Sequence, residues 1–285
     1  MSCTDQPAFY VYTGLDPSPR GDIGSMEHPI FALRAGDRRV RRYERNGITV
    51  EISPGSDGCA TVHDKDVWIY CISQLVEAMN RGREDIGRTV RFTAYDFLVS
   101  TNRPTSGVGY QRMEAALRRL DGTRIRTNIE SGGIRDKTSF GLIEAWHIIE
   151  GIGDDRTRPI EVTLPDWLWR SISAWRVLSV DRKYFKLRKP LERRLYELAR
   201  KHCGPQARWR AKLGTLYEKS GSTAPLRNFR IAVKALAECN GLPGYLMAFD
   251  PEVDTMTFFP RTTEHTNAQL TALRHVAGNS KWPCG

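Results

Sequence analysis

The sequence lacks the short motifs that mark many enzymes and metal sites. It contains no GxxxxGKS/T phosphate-binding loop, no HExxH and no GxSxG, so these common reaction types are not indicated. Its six cysteines form no CxxC pair; they are Cys3, Cys59, Cys71, Cys203, Cys239 and Cys284. Zinc fingers need ligands at close, regular spacing, and scattered thiols are typical of a reducing compartment. We therefore expect free thiols, no metal ion, no cofactor and no enzymatic activity.

Long apolar runs are also missing. The best one, VWIYCI at residues 67–72, is far shorter than the roughly 20 residues that span a bilayer. The N-terminal sequence MSCTDQPAFYVYTGLDPSPRG has no basic start followed by an apolar stretch, as a secretory signal would. These features predict a cytoplasmic protein with no membrane partner.

Positive charge is abundant and unevenly spread. The 285 residues carry a formal net charge of +10. Residues 181–240 contain 16 Lys/Arg and 5 Asp/Glu, so this segment holds the whole excess. A concentrated basic region favours a polyanionic partner, most often nucleic acid. The alternative is an ordinary solvated basic surface.

The chain is long enough for about two domains. Residues 1–28 are rich in Pro, Gly, Ser and Asp, which predicts a flexible arm, and residues 262–285 read as a tail. A polar, glycine-containing linker near residues 151–159 divides the remainder into domains at 29–155 and 156–261.

Both domains show the pattern of a winged helix, a helix-turn-helix variant with an added hairpin. In the first, apolar spacing predicts helices at 67–80, after Thr93, and at 109–120. The alternating segments TRIRTNIE and FGLIEAWHIIE follow, around the turn SGGIRDKTS. In the second, a strand and short helix (VTLPDWLWRSIS) precede three helices and the segments YLMAF and TMTFF. We expect an α+β fold made of tandem winged-helix domains.

The third helix of each domain has an apolar stripe and an opposite basic face. In the first domain the outer face holds Gln111, Arg112, Arg118 and Arg119. In the second it holds Arg227, Arg230 and Lys234. A recognition helix needs this division, since one stripe anchors it and the other carries donors for bases and phosphates. Basic outer faces are common in soluble proteins, but two in equivalent positions favour DNA binding.

Further candidates for DNA contact are Arg135 and Lys137 in the first hairpin turn, and Lys186, Arg188 and Lys189 before a long helix. That helix lies within YFKLRKPLERRLYELARKHCG, residues 184–204. Leu191, Leu195 and Leu198 share one of its faces, and Arg193, Tyr196 and Arg200 lie across from them. This predicts a helix that anchors its domain and exposes a basic side, although some of the charge could instead bridge the two domains.

The segment TVHDKDVW contains His63, Asp64 and Asp66, which could hold a metal ion and cut a phosphodiester. These residues stand just before a helix, where Asp is favoured as a cap. We expect Asp64 or Asp66 to cap that helix.

Four ordered blocks resemble the replication initiator protein A family of plasmid initiators. They are RRYERNGITVEI, ATVHDKDVWIYCISQL, GRTVRFTAYDFLVSTNR and RKPLERRLYELARKHCG. The core RRLYEL, Arg193–Leu198, is similar more loosely to iteron-binding initiators. The resemblance covers about residues 29–260. It implies a tandem winged-helix protein of the bacterial cytoplasm, associated with the plasmid or nucleoid, that binds repeated duplex DNA sites at an origin.

The same resemblance implies that the protein helps open the origin and recruits the host replication initiator and helicase machinery. Self-dimerisation and repression of its own gene would also fit. Three alternatives stay open: a winged-helix transcriptional repressor, a metal-dependent DNA-nicking enzyme, and a basic structural or RNA-binding module.

Overall fold

The computed structural model describes residues 9–10, 16–149 and 158–261. The fold is mixed α/β, in agreement with the α+β prediction. The chain forms two compact units, one up to Lys186 and one from Leu187. The predicted tail at 262–285 lies outside the described residues.

The first unit contains five α-helices and ten strands within the described residues. The helices are α1 (Ile23–Glu27), α2 (Asp66–Asn80), α3 (Ala94–Ser100), α4 (Gly107–Gly122) and α5 (Asp166–Ser173), with a 3-10 helix at Arg182–Lys186. The strands are β1 (Phe9–Tyr10), β2 (Arg20–Asp22), β3 (Arg41–Arg45), β4 (Ile48–Ser53), β5 (Thr89–Thr93), β6 (Arg124–Thr127), β7 (Thr138–Gly141), β8 (Ala145–Ile148), β9 (Pro159–Thr163) and β10 (Val177–Ser179).

These strands form three sheets. One has the order β1-β5-β9-β8, with β1 parallel to β5 and the other pairs antiparallel. A second, fully antiparallel sheet has the order β3-β4-β6-β7, and β2 pairs with β10.

Helix α2 forms the centre of the first unit's core because almost every one of its side chains is buried. Trp68 lies 5.3 Å from Phe31, ring centre to ring centre, in an edge-on contact. Its indole Nε1 donates a hydrogen bond of 2.6 Å to the Leu142 carbonyl. Buried aromatic rings with a satisfied polar atom stabilise a core strongly, and this one connects α2 to the residue that follows β7.

The hairpin predicted after the third helix is divided between two sheets. Strand β6 pairs with β7 around the turn at 128–137, and both belong to the sheet with β3 and β4. Strand β8 pairs instead with β9, which sequence analysis placed in the second domain. Local alternation predicts strands but not their partners, since both segments have the same period of two.

The two units divide later in the chain than the predicted boundary at residues 155/156. Strand β9 and helix α5 both belong to the first unit, where β9 lies between β5 and β8. Part of the predicted flexible arm, residues 1–28, lies outside the described residues, and its described part from residue 16 differs from the prediction: β2 pairs with β10, and Met26 of α1 is buried. These segments are ordered by pairing with residues distant in sequence.

The second unit contains three helices and one antiparallel sheet within the described residues. The elements are α6 (Pro190–Cys203), β11 (Trp209–Lys212), α7 (Leu213–Ser220), α8 (Leu226–Cys239), β12 (Tyr245–Asp250) and β13 (Thr255–Pro260). The strand order is β11-β13-β12. Helix α7 ends where Gly221 adopts a left-handed conformation, with φ of 69°, as glycine readily does.

The order helix, strand, helix, helix, strand, strand occurs in both units. In the first unit it is α2, β5, α3, α4, β8 and β9, with β6 and β7 inserted after α4. In the second it is α6, β11, α7, α8, β12 and β13. In both cases the first strand pairs with the last, and the last pairs with the middle one.

Helix caps follow the sequence only in part. Thr93 caps α3, as predicted, by accepting a hydrogen bond of 3.1 Å from the Asp96 amide. The prediction for α2 is wrong, because its N-cap is Lys65 and no side chain caps it. Asp64 instead accepts hydrogen bonds from the amide and hydroxyl of Thr61, at 2.8 and 3.1 Å.

Candidate nucleic-acid interface

Helix α8 carries the clearest exposed face among the candidates. Its buried stripe consists of Phe229, Val233, Leu236 and Ala237. The opposite side contains Arg227, Asn228, Ile231 and Ala235, all of them exposed. The helix is therefore anchored along one side and presents a cation, an amide and an aliphatic side chain on the other.

Two of the predicted residues on α8 contact the β12–β13 hairpin instead. Arg230 binds Asp254 through two hydrogen bonds of 2.6 and 3.0 Å. The Lys234 ammonium lies 4.9 Å from the centre of the Phe249 ring, in the range of a cation–π contact. Both residues are partly buried, so Arg227 is the predicted cation of α8 that points most directly outward.

Helix α4 is anchored by a similar stripe, formed by Met113, Ala116, Leu117 and Leu120. Gln111, Arg112 and Arg118 are exposed, as predicted from the spacing. Arg118 forms ion pairs with Glu114 at 2.7 Å and Asp57 at 3.1 Å. All three groups are substantially exposed, so these pairs are weak and Arg118 can exchange them for another anion.

The structure gives Arg119 a different role from the predicted one. Its guanidinium donates two hydrogen bonds, of 2.8 and 2.7 Å, to the Asp64 carboxylate. That carboxylate is only 3% exposed, and its hydrogen bonds raise the pKa of Arg119. Arg119 connects α4 to the turn before α2 and therefore does not belong to the exposed basic face of α4.

The turn between β6 and β7 holds Arg135 and Lys137, both exposed. Arg135 donates a hydrogen bond of 2.8 Å to the Gly47 carbonyl in the β3–β4 turn. Gly132 and Gly133 have positive φ values of 58° and 79°, which glycine adopts with little strain. The turn thus exposes two cations at one end of the β3-β4-β6-β7 sheet, as a contact to a phosphate backbone would require.

Lys186, Arg188 and Lys189 are exposed just before α6. The helix itself differs from the prediction, because Arg193 and Tyr196 are buried. Arg193 Nε donates a hydrogen bond of 2.9 Å to the Leu187 carbonyl. The Tyr196 ring lies 5.8 Å from that of Tyr245. The exposed charge of this segment therefore lies mainly before the helix and not along a basic side.

Arg194 and Glu197 form a buried ion pair in α6, with side chains 2% and 3% exposed and 3.1 Å between Nη1 and Oε2. Arg194 Nε and Nη2 also donate to the Lys219 carbonyl at 3.1 and 2.7 Å. Sequence analysis did not predict this pairing. Both arginines of RRLYEL, Arg193 and Arg194, are therefore buried in the second unit.

The carboxylates of the TVHDKDVW segment are each held by an arginine. Asp64 binds Arg119, and Asp66 Oδ2 lies 2.7 Å from Arg103 Nη2. Arg103 Nη2 also donates to the His63 carbonyl at 2.5 Å. Among the described residues, no group of three or more His, Cys, Asp or Glu is placed to hold a metal ion.

Sequence analysis missed the exposed apolar residues of the two third helices. Ile231 of α8 is 58% exposed and Val108 of α4 is 53% exposed. The helical spacing that identified the basic residues also places Ile231 opposite the buried stripe.

A second surface that sequence analysis missed is the outer face of the β3-β4-β6-β7 sheet. Glu51 of β4 accepts hydrogen bonds from Arg42 of β3 at 2.7 Å and Arg126 of β6 at 3.0 Å. Cross-strand register places these residues opposite one another. Alternation could have predicted their exposure, but their proximity depends on the pairing of β4 with β6.

Among the helices that the structure describes, none is both long enough and apolar enough to cross a bilayer.

The mixed α/β fold of this chain is similar to solved fragments of the protein RctB. A crystal structure of RctB domains 2 and 3 matches 84% of this chain and 96% of its own, with a TM-score of 0.60 and 11% identity. Another structure of RctB domains 2–3 covers 88% of this chain and 99% of its own, with a TM-score of 0.55 and 11% identity. At this identity the likeness concerns the fold alone.

Sequence comparison gives the family directly. The family described as replication initiator protein A matches residues 20–247. A protein of Wigglesworthia glossinidia brevipalpis, named "Putative replication protein", is 43% identical over 244 residues, which is 85% of this chain and 89% of that protein. The chain belongs to the replication initiator protein A family.

Proposed function

We propose that the chain is a plasmid replication initiator that binds repeated duplex DNA sites at an origin. In this proposal each unit contains a winged helix, and α4 and α8 are the recognition helices. The bound protein helps open the duplex and recruits host replication proteins. It works in the bacterial cytoplasm, on the plasmid, and does no chemistry of its own.

The observation that carries the proposal is the repeated element order with a partly cationic third helix. In each unit the third helix is held by a buried stripe and exposes the opposite face. Arg112 and Gln111 lie exposed on α4, and Arg227 and Asn228 on α8. Arg and amide side chains are the groups that read guanine and adenine in the major groove.

Additional cations lie where backbone contacts would be useful. Arg135 and Lys137 project from the β6–β7 turn, and Lys186, Arg188 and Lys189 precede α6. The turn of the second hairpin differs, because Asp250, Glu252 and Asp254 make it acidic. The cations of the first unit's turn are therefore the better candidates for phosphate contact.

A salt-titrated binding assay tests this function. Duplexes tiled across the DNA beside the gene are compared with scrambled duplexes. We expect a sequence-dependent site whose affinity falls steeply with salt, because phosphate contacts release counterions. Arg227→Ala should lose about 1–3 kcal/mol of binding free energy. Arg81→Ala is the matched control, since Arg81 is an exposed cation just after α2 and belongs to neither candidate face.

Equal and weak binding to every duplex would contradict the proposal and favour a nonspecific or RNA-binding module. Specific binding leaves the transcriptional repressor as an alternative. Replication in trans of a plasmid carrying only the origin separates the two, because a repressor would not support it.

A nicking assay tests the part of the proposal that the protein does not cut DNA. Supercoiled origin DNA is incubated with the protein and Mg²⁺ or Mn²⁺. We expect no nicking, because the Asp64 and Asp66 carboxylates are each bound to an arginine. Nicking that His63→Ala abolishes would contradict this part of the proposal.

A further inference from the structure

The exposed face of α8 contains an aliphatic side chain at its centre. Ile231 is 58% exposed and lies opposite the stripe of Phe229, Val233 and Leu236 that anchors the helix. A single exposed aliphatic residue needs no explanation on an ordinary surface. Here it stands on the face that the proposed function directs at DNA, so its chemistry bears on what is read.

The neighbours of Ile231 define a mixed polar and apolar surface. Arg227 lies one turn earlier at i−4, and Asn228 lies at i−3, so both are adjacent to Ile231 on the helix surface. Ala235, one turn later, adds little bulk. Arg230 and Lys234 do not compete for this surface, since they contact Asp254 and Phe249.

The major groove offers one apolar group, the 5-methyl of thymine. The thymine's partner, adenine, presents an acceptor and a donor that suit the two ends of an asparagine amide. Guanine presents two acceptors that suit an arginine. The face of α8 therefore matches an A·T pair beside a G·C pair better than it matches a run of phosphates, which would need more cations.

We propose that Ile231 contacts the 5-methyl group of a thymine in the part of the site bound by the second unit. Asn228 reads the adenine of the same or the neighbouring pair, and Arg227 reads a nearby guanine. This inference rests on the proposed function. It gives α8 a specific sequence preference, in which A·T pairs are recognised by an apolar contact to the thymine methyl group as well as by hydrogen bonds.

Uracil interference tests the contact at every thymine of a duplex in one experiment. Duplexes in which deoxyuridine randomly replaces thymidine lose single methyl groups, and bound and free fractions are then compared. We expect interference at a few thymines with the wild-type protein. With Ile231→Ala, interference should disappear at one or two adjacent thymines and persist elsewhere.

The contact is then measured with one defined substitution. Replacing the identified thymidine by deoxyuridine should weaken wild-type binding about fourfold, the value of one buried methyl group. Ile231→Ala should weaken binding to the thymidine duplex at least as much and should be nearly insensitive to loss of the methyl. Val40→Ala is the control, because Val40 is also branched and 53% exposed but belongs to the first unit and to neither third helix. Circular dichroism should show all variants folded.

The outcomes separate this inference from the proposed function. Specific binding with no interference at any thymine would overturn the methyl contact and leave the initiator proposal standing. Equal loss by Ile231→Ala on both duplexes would also overturn it, as would a change in oligomeric state, which would identify a protein-docking surface. Absence of any specific duplex binding would overturn both proposals.

Discussion

Arg119 illustrates how a single tertiary contact decides the role of a basic residue. Spacing alone places it near Arg112 on α4, but its guanidinium lies against Asp64. Asp64 is far away in sequence, so no local pattern could predict the pair. One of two similar arginines is thus structural, and the other is available to a partner.

Arg119→Ala should destabilise the first unit. The change leaves the Asp64 carboxylate, 3% exposed, without its charged donor. Asp64 keeps its hydrogen bonds from Thr61, but loss of the charged donor to a buried carboxylate costs about 1–3 kcal/mol. Urea unfolding should show a lower midpoint for this variant. Arg112→Ala should stay within about 0.5 kcal/mol of wild type, as exposed substitutions do. Equal stability of the two variants would show that the Asp64 contact is unimportant.

Asp22 is a buried carboxyl whose ionisation opposes folding. Its side chain accepts hydrogen bonds from the Ser25 amide at 2.7 Å and the Ser171 hydroxyl at 2.6 Å. Burial raises its pKa in spite of these bonds. The folded state therefore binds the proton more tightly than the unfolded state, in which the pKa is close to the ordinary value.

Asp22→Asn should reveal this effect as a change with pH. The stability that protonation of Asp22 gives is complete below the unfolded-state pKa and is lost as pH rises through the raised folded-state pKa. The unfolding free energy of wild type minus that of Asp22→Asn should therefore be largest below about pH 4 and decline towards neutrality. Urea unfolding of both proteins across this range measures it. A difference that grows with pH would contradict the assignment.

At the scale of elements, α6 shows why a highly charged helix can belong to a core. Arg194 uses all three of its nitrogens, on Glu197 and on the Lys219 carbonyl at the end of α7. The Arg194 guanidinium thus links α6 to α7 by hydrogen bonds, while Leu195 and Leu198 of the same helix are fully buried.

Arg194→Ala should destabilise the second unit by about 3–5 kcal/mol, because it removes one partner of the buried ion pair with Glu197. Chemical denaturation measures the loss. The double variant Arg194→Met, Glu197→Leu should recover much of it, since apolar side chains of similar volume often replace a buried ion pair without loss. Arg188→Ala, which removes an exposed charge just before α6, should be nearly neutral. A neutral Arg194→Ala would show that the other contacts of Glu197 are sufficient or that its carboxyl becomes protonated.

Individual elements could be predicted well where the signal is local. The helices near residues 67–80 and 226–239, the Thr93 cap and the β12–β13 hairpin all follow from periodicity or turn chemistry. The role of β8 could not be predicted in this way. Strand β8 pairs with β9, whereas the neighbouring strand β7 pairs with β6. Because β7 and β8 have the same alternation, the sequence does not show that they belong to different sheets.

At the scale of the whole molecule, the outer faces of α4 and α8 could be predicted because helical geometry alone determines them. Which basic residues remain available could not. Arg119, Arg193, Arg194 and Arg230 all bind groups on other turns or elements. The net charge of a segment therefore overstates the charge that a partner meets.

The proposed recognition helices α4 and α8 belong to separate units, which predicts separable effects on binding. Arg112 lies exposed on α4 and Arg227 on α8, so the two residues belong to different units. Each alanine substitution should weaken binding by about 1–3 kcal/mol and relax specificity at a different position of the site. Competition with duplexes carrying single base changes identifies those positions.

The double variant Arg112→Ala, Arg227→Ala should lose the sum of the two single losses to within about 0.5 kcal/mol, as independent sites do. Arg81→Ala combined with either substitution serves as the control and should add nothing. If both substitutions relaxed specificity at the same base pair, or if the second had no effect after the first, only one third helix would read the DNA. The other unit would then contribute through its backbone contacts, and its exposed basic residues should instead control the dependence of affinity on salt.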